Sequence, residues 1–421
     1  MALAVATFLI VLALIASERV HRTKVALLGA AIVVLFVGQY SEELAIESVE
    51  FATLGLLAGM MILVYLTSQS GIYDFIAVKA GQISRGNPFV LVVMMAATVT
   101  ILAGFLDNLT TILLIVPITF LLADTLDIDP MPLILVEVVS ANIGGAATLI
   151  GDPPNIMIGN AAGLSFNDFL LNTMPAAVSI LAVITVALYF VFRKRIQVAE
   201  ENRKYVMELD ARASIRDMGE LKRTLPVLLG TIVLFFLHQY IHVEPATVAL
   251  TGAAVCLAVT RVPIEEALEK IEWTTMFFFI GLFVMVGALE TTGAIDHVAE
   301  AITDVTNGNR NAELVGIVWT SSVVGGIVDN IPLTAAMIPV VDQIQSTGGH
   351  SGDSAHWWAL SLGACFGGNL TLISAAANVA ALGLAERAGR PIGFWQFLKI
   401  GFPVTIASTI MATAYILLRY G

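Results

Sequence analysis

The stretch "NIGGAATLIGDPPNIMIG", Asn142–Gly159, decides how this chain is read. It lies in apolar sequence, yet it carries Gly151-Asp152-Pro153-Pro154-Asn155, a string that no straight helix accommodates. Two adjacent prolines remove two amide donors and clash with the preceding turn. Asp152 adds an ionisable group where hydrocarbon is the expected solvent. Freed backbone is tolerated at membrane depth only where protein buries it or it lines a cavity. The string therefore reads as a helix broken inside a protein-lined site.

The rest of the chain supports a membrane setting. Of 421 residues, 57% are hydrophobic and 13% charged, against about a quarter charged in a soluble domain. Apolar runs of about 17–25 residues are long enough to cross a bilayer as helices. The fold class is thus an all-α, multi-pass membrane protein. "MALAVATFLIVLALIA" at the start has no basic n-region, so it reads as a retained first span. The net charge of -12 resides mainly in loops, and no basic stripe with aromatics suggests nucleic acid. Cys256 and Cys365 sit in apolar segments and outline no disulfide framework or thiolate cluster. The six histidines show no metal-ligand spacing, and no nucleophile–base or His-Glu-x-x-His set marks an enzyme. No cofactor is expected.

The broken string has a partner. "GGAATLIGDPPN", ending at Asn155, recurs as "GGNLTLISAAAN", ending at Asn378. "LDNLTTILLIVP", ending at Pro117, recurs as "VDNIPLTAAMIP", ending at Pro339. "VALLGAA" at Val25 and "VALTGAA" at Val248 extend the register, and six such pairs keep an offset of 222 to 228 residues. The chain divides into a first repeat, 1–192, a polar linker, 193–223, and a second repeat, 224–421.

Lys and Arg concentrate on the cytoplasmic side of short loops. The linker carries nine of them and is placed inside the cell. Five crossings and one re-entrant hairpin per half then put 19 of 21 Lys and Arg inside, Arg22 among them, and both termini outside. An odd number of crossings makes the second repeat inverted. Inverted repeats with interrupted helices are built around a midplane site in secondary transporters.

Four polar interruptions form the candidate site. Asp107-Asn108 and Asp329-Asn330 lie between apolar arms that read as too short for two independent crossings, so each pair is expected at a re-entrant hairpin tip. Thr110 follows the first tip. Thr148 to Asn155 and Thr371 to Asn378 are the two breaks, with Asn369 just before the second. Asp107 and Asp329 suit both helix capping and ion contact. Asp152 faces Ala375 in the repeat register, so the architecture does not demand it. An unmatched acid at membrane depth points to proton or coupling-ion binding. Asp107, Asp152 and Asp329 are the expected proton-coupling groups, with H+ or Na+ as the coupling ion. No Lys or Arg is expected at membrane depth, which favours a cation, a proton-coupled cycle or a neutral polar solute.

On "DNLTTILLIVPIT", "ANIGGAATLIGDPPNIMIGN" and "DNIPLTAAMIP", the chain resembles the ion transporter superfamily. Within it, the resemblance is to the arsenite-permease/sodium–proton-antiporter group, closest to the branch of the melanosomal P protein. It covers nearly the whole chain. It implies a scaffold of crossings around a transport domain of hairpins and broken helices, elevator-type alternating access, and often a homodimer. By motif match it implies that Asp107, Asn108, Asp329, Asn330, Thr148, Asp152, Asn155, Thr371 and Asn378 line the site. The expected activity is proton-coupled export of a small inorganic solute such as arsenite or antimonite. Sodium–proton antiport and sodium-coupled import of a small anion are the alternatives. The location is the plasma (inner) membrane, and a soluble ATPase partner stays open.

Overall fold

The computed structural model describes residues 1–17, 19–347 and 353–421. The first half contains α1 (Ala2–Ala16), α2 (Arg22–Phe36), the short α3 (Glu42–Glu47), α4 (Phe51–Ser68), α5 (Ile72–Ser84), α6 (Pro88–Phe105), α7 (Asn108–Leu126), α8 (Met131–Gly145), α9 (Pro153–Ala162), α10 (Phe166–Asn172) and α11 (Met174–Phe192). α12 (Arg203–Glu208) lies in the polar linker. The order then recurs as α13 (Met218–Leu237), α14 (Pro245–Val259), the short α15 (Ile264–Glu269), α16 (Trp273–Thr291), α17 (Ala294–Thr306), α18 (Arg310–Val328), α19 (Asn330–Thr347), α20 (Ala355–Gly367), α21 (Ala376–Arg387) and α22 (Phe394–Tyr420). Among the described residues, only α10 lacks a counterpart in this order. Asp217 starts α13 by accepting from the amides of Gly219 (2.7 Å) and Glu220 (3.0 Å), and these bonds hold its carboxyl below the usual range.

Packing repeats along with sequence. α4 lies against α14 as α2 lies against α16, and α6 lies against α8 as α18 lies against α20. Two close crossings use the same small residues in each half. A Cβ on Gly59 would stand 2.7 Å from the Ala249 carbonyl carbon, and one on Gly281 would stand 2.8 Å from that of Ala26. Gly144 and Gly367 meet the Cα atoms of Thr100 and Ser322 in the same way. Small residues let helix backbones approach where lipid provides no hydrophobic drive for association. Outward-facing Leu9, Ile10, Leu28, Leu35, Phe190 and Leu418 are exposed, as expected for a surface solvated by acyl chains.

Among the described residues, seven helices are long and apolar enough to span a membrane. Three of them, α6, α7 and α18, are hairpin arms. The arms are therefore not short, contrary to the sequence expectation. The four arms, α6, α7, α18 and α19, run 18 or 19 residues, about 27–29 Å of helix at ~1.5 Å per residue. Conversely, α1, α2, α8 and α14 have only 15 residues. Length does not separate hairpin arms from crossings here. The positions of the turns do, because both turns meet the broken helices.

Candidate functional site

The hairpin turns are two residues and one residue long, Leu106-Asp107 and Asp329. Both aspartates adopt positive φ, +118° at Asp107 and +148° at Asp329, a sparsely populated region for a residue with a side chain. Their carboxylates serve different partners. Asp107 caps α7, accepting from Thr110 N at 2.8 Å and from Thr110 Oγ1 at 2.7 Å. Asp329 accepts from Ile331 N at 3.0 Å through Oδ1, while Oδ2 meets Arg22 Nη1 at 3.3 Å.

The two breaks are held by one motif used twice. Asn155 Nδ2 donates to the carbonyls of Gly145 (3.1 Å) and Thr148 (2.9 Å), ten and seven residues back. Asn378 Nδ2 donates to Gly368 O (2.7 Å) and Thr371 O (2.9 Å) at the same two spacings. These bonds bind carbonyls at the ends of the interrupted helices; in the second break Ser374 adds to them, with its Oγ 2.7 Å from both Gly368 O and Thr371 O and its N donating to Thr371 O at 3.4 Å. Thr148 Oγ1 donates to Gly104 O in α6, and Thr371 Oγ1 donates to Gly326 O in α18 at 2.7 Å. Each break is thereby tied to the first arm of its own hairpin. The acceptor of Asn155 is occupied as well, by Ser361 Oγ (2.7 Å) and Cys365 Sγ (3.6 Å). Asn155, Asn378, Thr148 and Thr371 thus build the breaks, and their donors are committed to backbone.

Asp152 stands where the halves converge. It is 2% exposed. Asn108 Nδ2, from the first hairpin tip, donates to Oδ1 at 3.3 Å. Asn330 Nδ2, from the second, donates to Oδ2 at 3.4 Å. One carboxylate thus receives an amide from each repeat. Asn142 lies beside it, accepting from Asn108 (3.3 Å) and donating toward Gly368 O (3.1 Å), Asn369 Oδ1 (3.0 Å) and Asn378 Oδ1 (3.0 Å). Asn369 Nδ2 is a buried donor with no partner among the described residues.

A tight cavity of about 40 Å³ opens here, with Asp107, Asn108, Asp152, Asn330, Glu272, Thr275 and Arg22 in its wall. A wider space of about 440 Å³ adjoins it, and Arg22, Leu109 and Ala376 line both. Arg22 overturns the expectation of no basic residue at the site. It begins α2, pairs with buried Asp329 and lies over the Phe278 ring at 5.1 Å. In sequence it is one of a cluster of loop charges with Arg19 and Lys24, so only the helix start that points it inward distinguishes it. Glu272 and Thr275 were also not foreseen; they enter through the first turn of α16.

Two hairpins meeting two broken helices over a single carboxylate, in a chain of apolar helices, define the fold and site of a multi-pass membrane transporter. The solved Alcanivorax borkumensis YdaH transporter has a similar fold, with a TM-score of 0.60, 14% identity, and coverage of 89% of this chain and 86% of that one. Residues 12–363 match the CitMHS family, described as citrate transporter, and the chain belongs to this family. It is 42% identical to an uncharacterized transporter of Mycobacterium tuberculosis over 99% of this chain and 98% of that one. It is 34% identical to the mouse P protein over 99% of this chain and 60% of that longer protein, in keeping with the expected branch of the superfamily.

Proposed function

We propose that this chain is a proton-coupled secondary transporter that exports a small inorganic solute, arsenite or antimonite first, by elevator-type alternating access. The observation that carries the reading is Asp152, held by Asn108 and Asn330 from opposite hairpins in the wall of a cavity that adjoins a wider space. Amide donors favour the ionised carboxylate, so uptake of a proton or small cation at Asp152 goes with release of Asn108 or Asn330 or with a flip that turns their Oδ1 toward the site. Thr275 and Glu272, joined by a 2.9 Å hydrogen bond in the cavity wall, suit a neutral hydroxylated solute. In this reading the repeats are inverted, with 193–223 a cytoplasmic linker. Hairpins and breaks form the moving domain, and α2, α4, α14 and α16 form the scaffold.

A second reading has its own support. Arg22 gives the cavity a cation, and the family is described as citrate transporter, so a carboxylate anion exchanging with Asp329 for Arg22 is the competing solute. Proteoliposomes with an internal pH dye separate these readings. Arsenite-driven proton movement that disappears in Asp152→Asn supports the leading reading. Sodium-driven proton movement instead makes the chain a sodium–proton antiporter. Citrate-driven movement lost in Arg22→Gln favours the anion carrier. Proton movement with none of the three overturns proton coupling to these solutes.

A further inference from the structure

Seven residues into α8, Glu137 is fully buried. Thr119 Oγ1, on α7, donates to its Oε1. Its other oxygen, Oε2, has no hydrogen-bond partner among the described residues, and neither has Ser140 Oγ one turn further on. The helices packed on α8 are α6, α7, α11, α20, α21 and α22. None presents a charged or titratable side chain to Glu137 among the described residues. An ionised carboxylate here would be a buried charge without a counter-ion.

The hydroxyl geometry leads to the same conclusion. Thr119 has one proton, yet its Oγ1 faces two acceptors, Ile115 O at 3.3 Å and Glu137 Oε1. If Glu137 carries a proton, it donates to Thr119 Oγ1 and Thr119 donates to Ile115 O, so each proton has one acceptor. The fold does not require this arrangement. At the same crossing in the second repeat, Glu137, Thr119 and Ser140 are replaced by Leu360, Val341 and Gly363, and the helices still pack. Glu137 precedes Asn142 by five residues, about 7.5 Å of helix, and Asn142 shares Asn108 with Asp152.

We propose that Glu137 is a second proton-binding carboxyl of the carrier, taking up and giving up a proton as the transport cycle turns. Its part in the cycle rests on the proton-coupled reading above; its protonation does not. The test is infrared spectroscopy of the full chain in liposomes, titrated with pH and exchanged into heavy water. A protonated-carboxyl band is expected that titrates reversibly, persists in Asp152→Asn and is lost in Glu137→Gln. Thr119→Val, which keeps Glu137, is expected to move that band to higher wavenumber and serves if the glutamine variant does not fold. The inference is overturned if the band persists in Glu137→Gln or is unmoved by Thr119→Val. It is likewise overturned if the band is insensitive to pH wherever the protein stays folded, which would make Glu137 a fixed structural acid. Arsenite-driven proton flux is then expected to fall at least tenfold in Glu137→Gln. Unchanged flux in that variant also sinks the coupling role. A wild type that moves no protons removes the proposed function instead, while the infrared result still decides whether Glu137 binds a proton.

Discussion

The two hairpin tips share a sequence signature and differ in how their aspartates are satisfied. Asp107 turns back on its own helix and is bonded by Thr110. Asp329 reaches across to Arg22 at the start of α2. The breaks beneath them differ in the opposite sense, since the first carries Asp152 and the second Ala375. The duplicated parts, asparagine to carbonyl and threonine to hairpin, make the architecture. The unduplicated parts, Asp152, Arg22 and Glu137, are ionisable residues that the repeated frame does not require.

Asp152→Asn is expected to break this comparison most strongly, by making the first break as neutral as the second. Loss of a charged acceptor between two amides is worth about 1.5–3 kcal/mol, so solute-driven flux should fall by about tenfold to a hundredfold in liposome assays. Asn155→Ala and Asn378→Ala test the shared part. Asn155→Ala strands the Gly145 and Thr148 carbonyls, at about 1–3 kcal/mol per unsatisfied group, whereas in Asn378→Ala the donors Asn142 and Ser374 remain on Gly368 O and Thr371 O, so Asn155→Ala should lower the detergent melting temperature more. Equal losses would show that Ser374 does not take over from the Asn378 amide. Gly59→Ala and Gly281→Ala should each cost about 1–3 kcal/mol of overpacking, because the added methyl meets backbone at 2.7 and 2.8 Å. The smallest effect is expected at Asp107. Asn caps a helix about as well as Asp, so Asp107→Asn should change stability by a few tenths of a kcal/mol, whereas Asp329→Asn also loses the Arg22 pair.

The breaks were legible in the sequence because proline, glycine and asparagine act on the backbone locally, and a repeat at constant offset shows the same device twice. The tips were legible for the same reason. What sequence could not give was direction. Asn155 and Asn378 looked like solute ligands, but their amides point back at carbonyls ten and seven residues earlier. Arg22 was counted with loop charges because charge counting ignores which way a helix start faces. The hairpin arms were misjudged because apolar length measures what lipid tolerates, while the depth of a turn is set by tertiary contacts such as Asn108 and Asn330 on Asp152.

Asn142 has a genetic consequence. The two similar halves of the chain build different sides of one site, so a substitution in one is not covered by the other. Asn142 touches the second hairpin's break at Gly368, Asn369 and Asn378 while accepting from Asn108 of the first, and its register partner is Cys365. A single codon there alters both halves at once. One substitution there removes contacts on both sides of the junction.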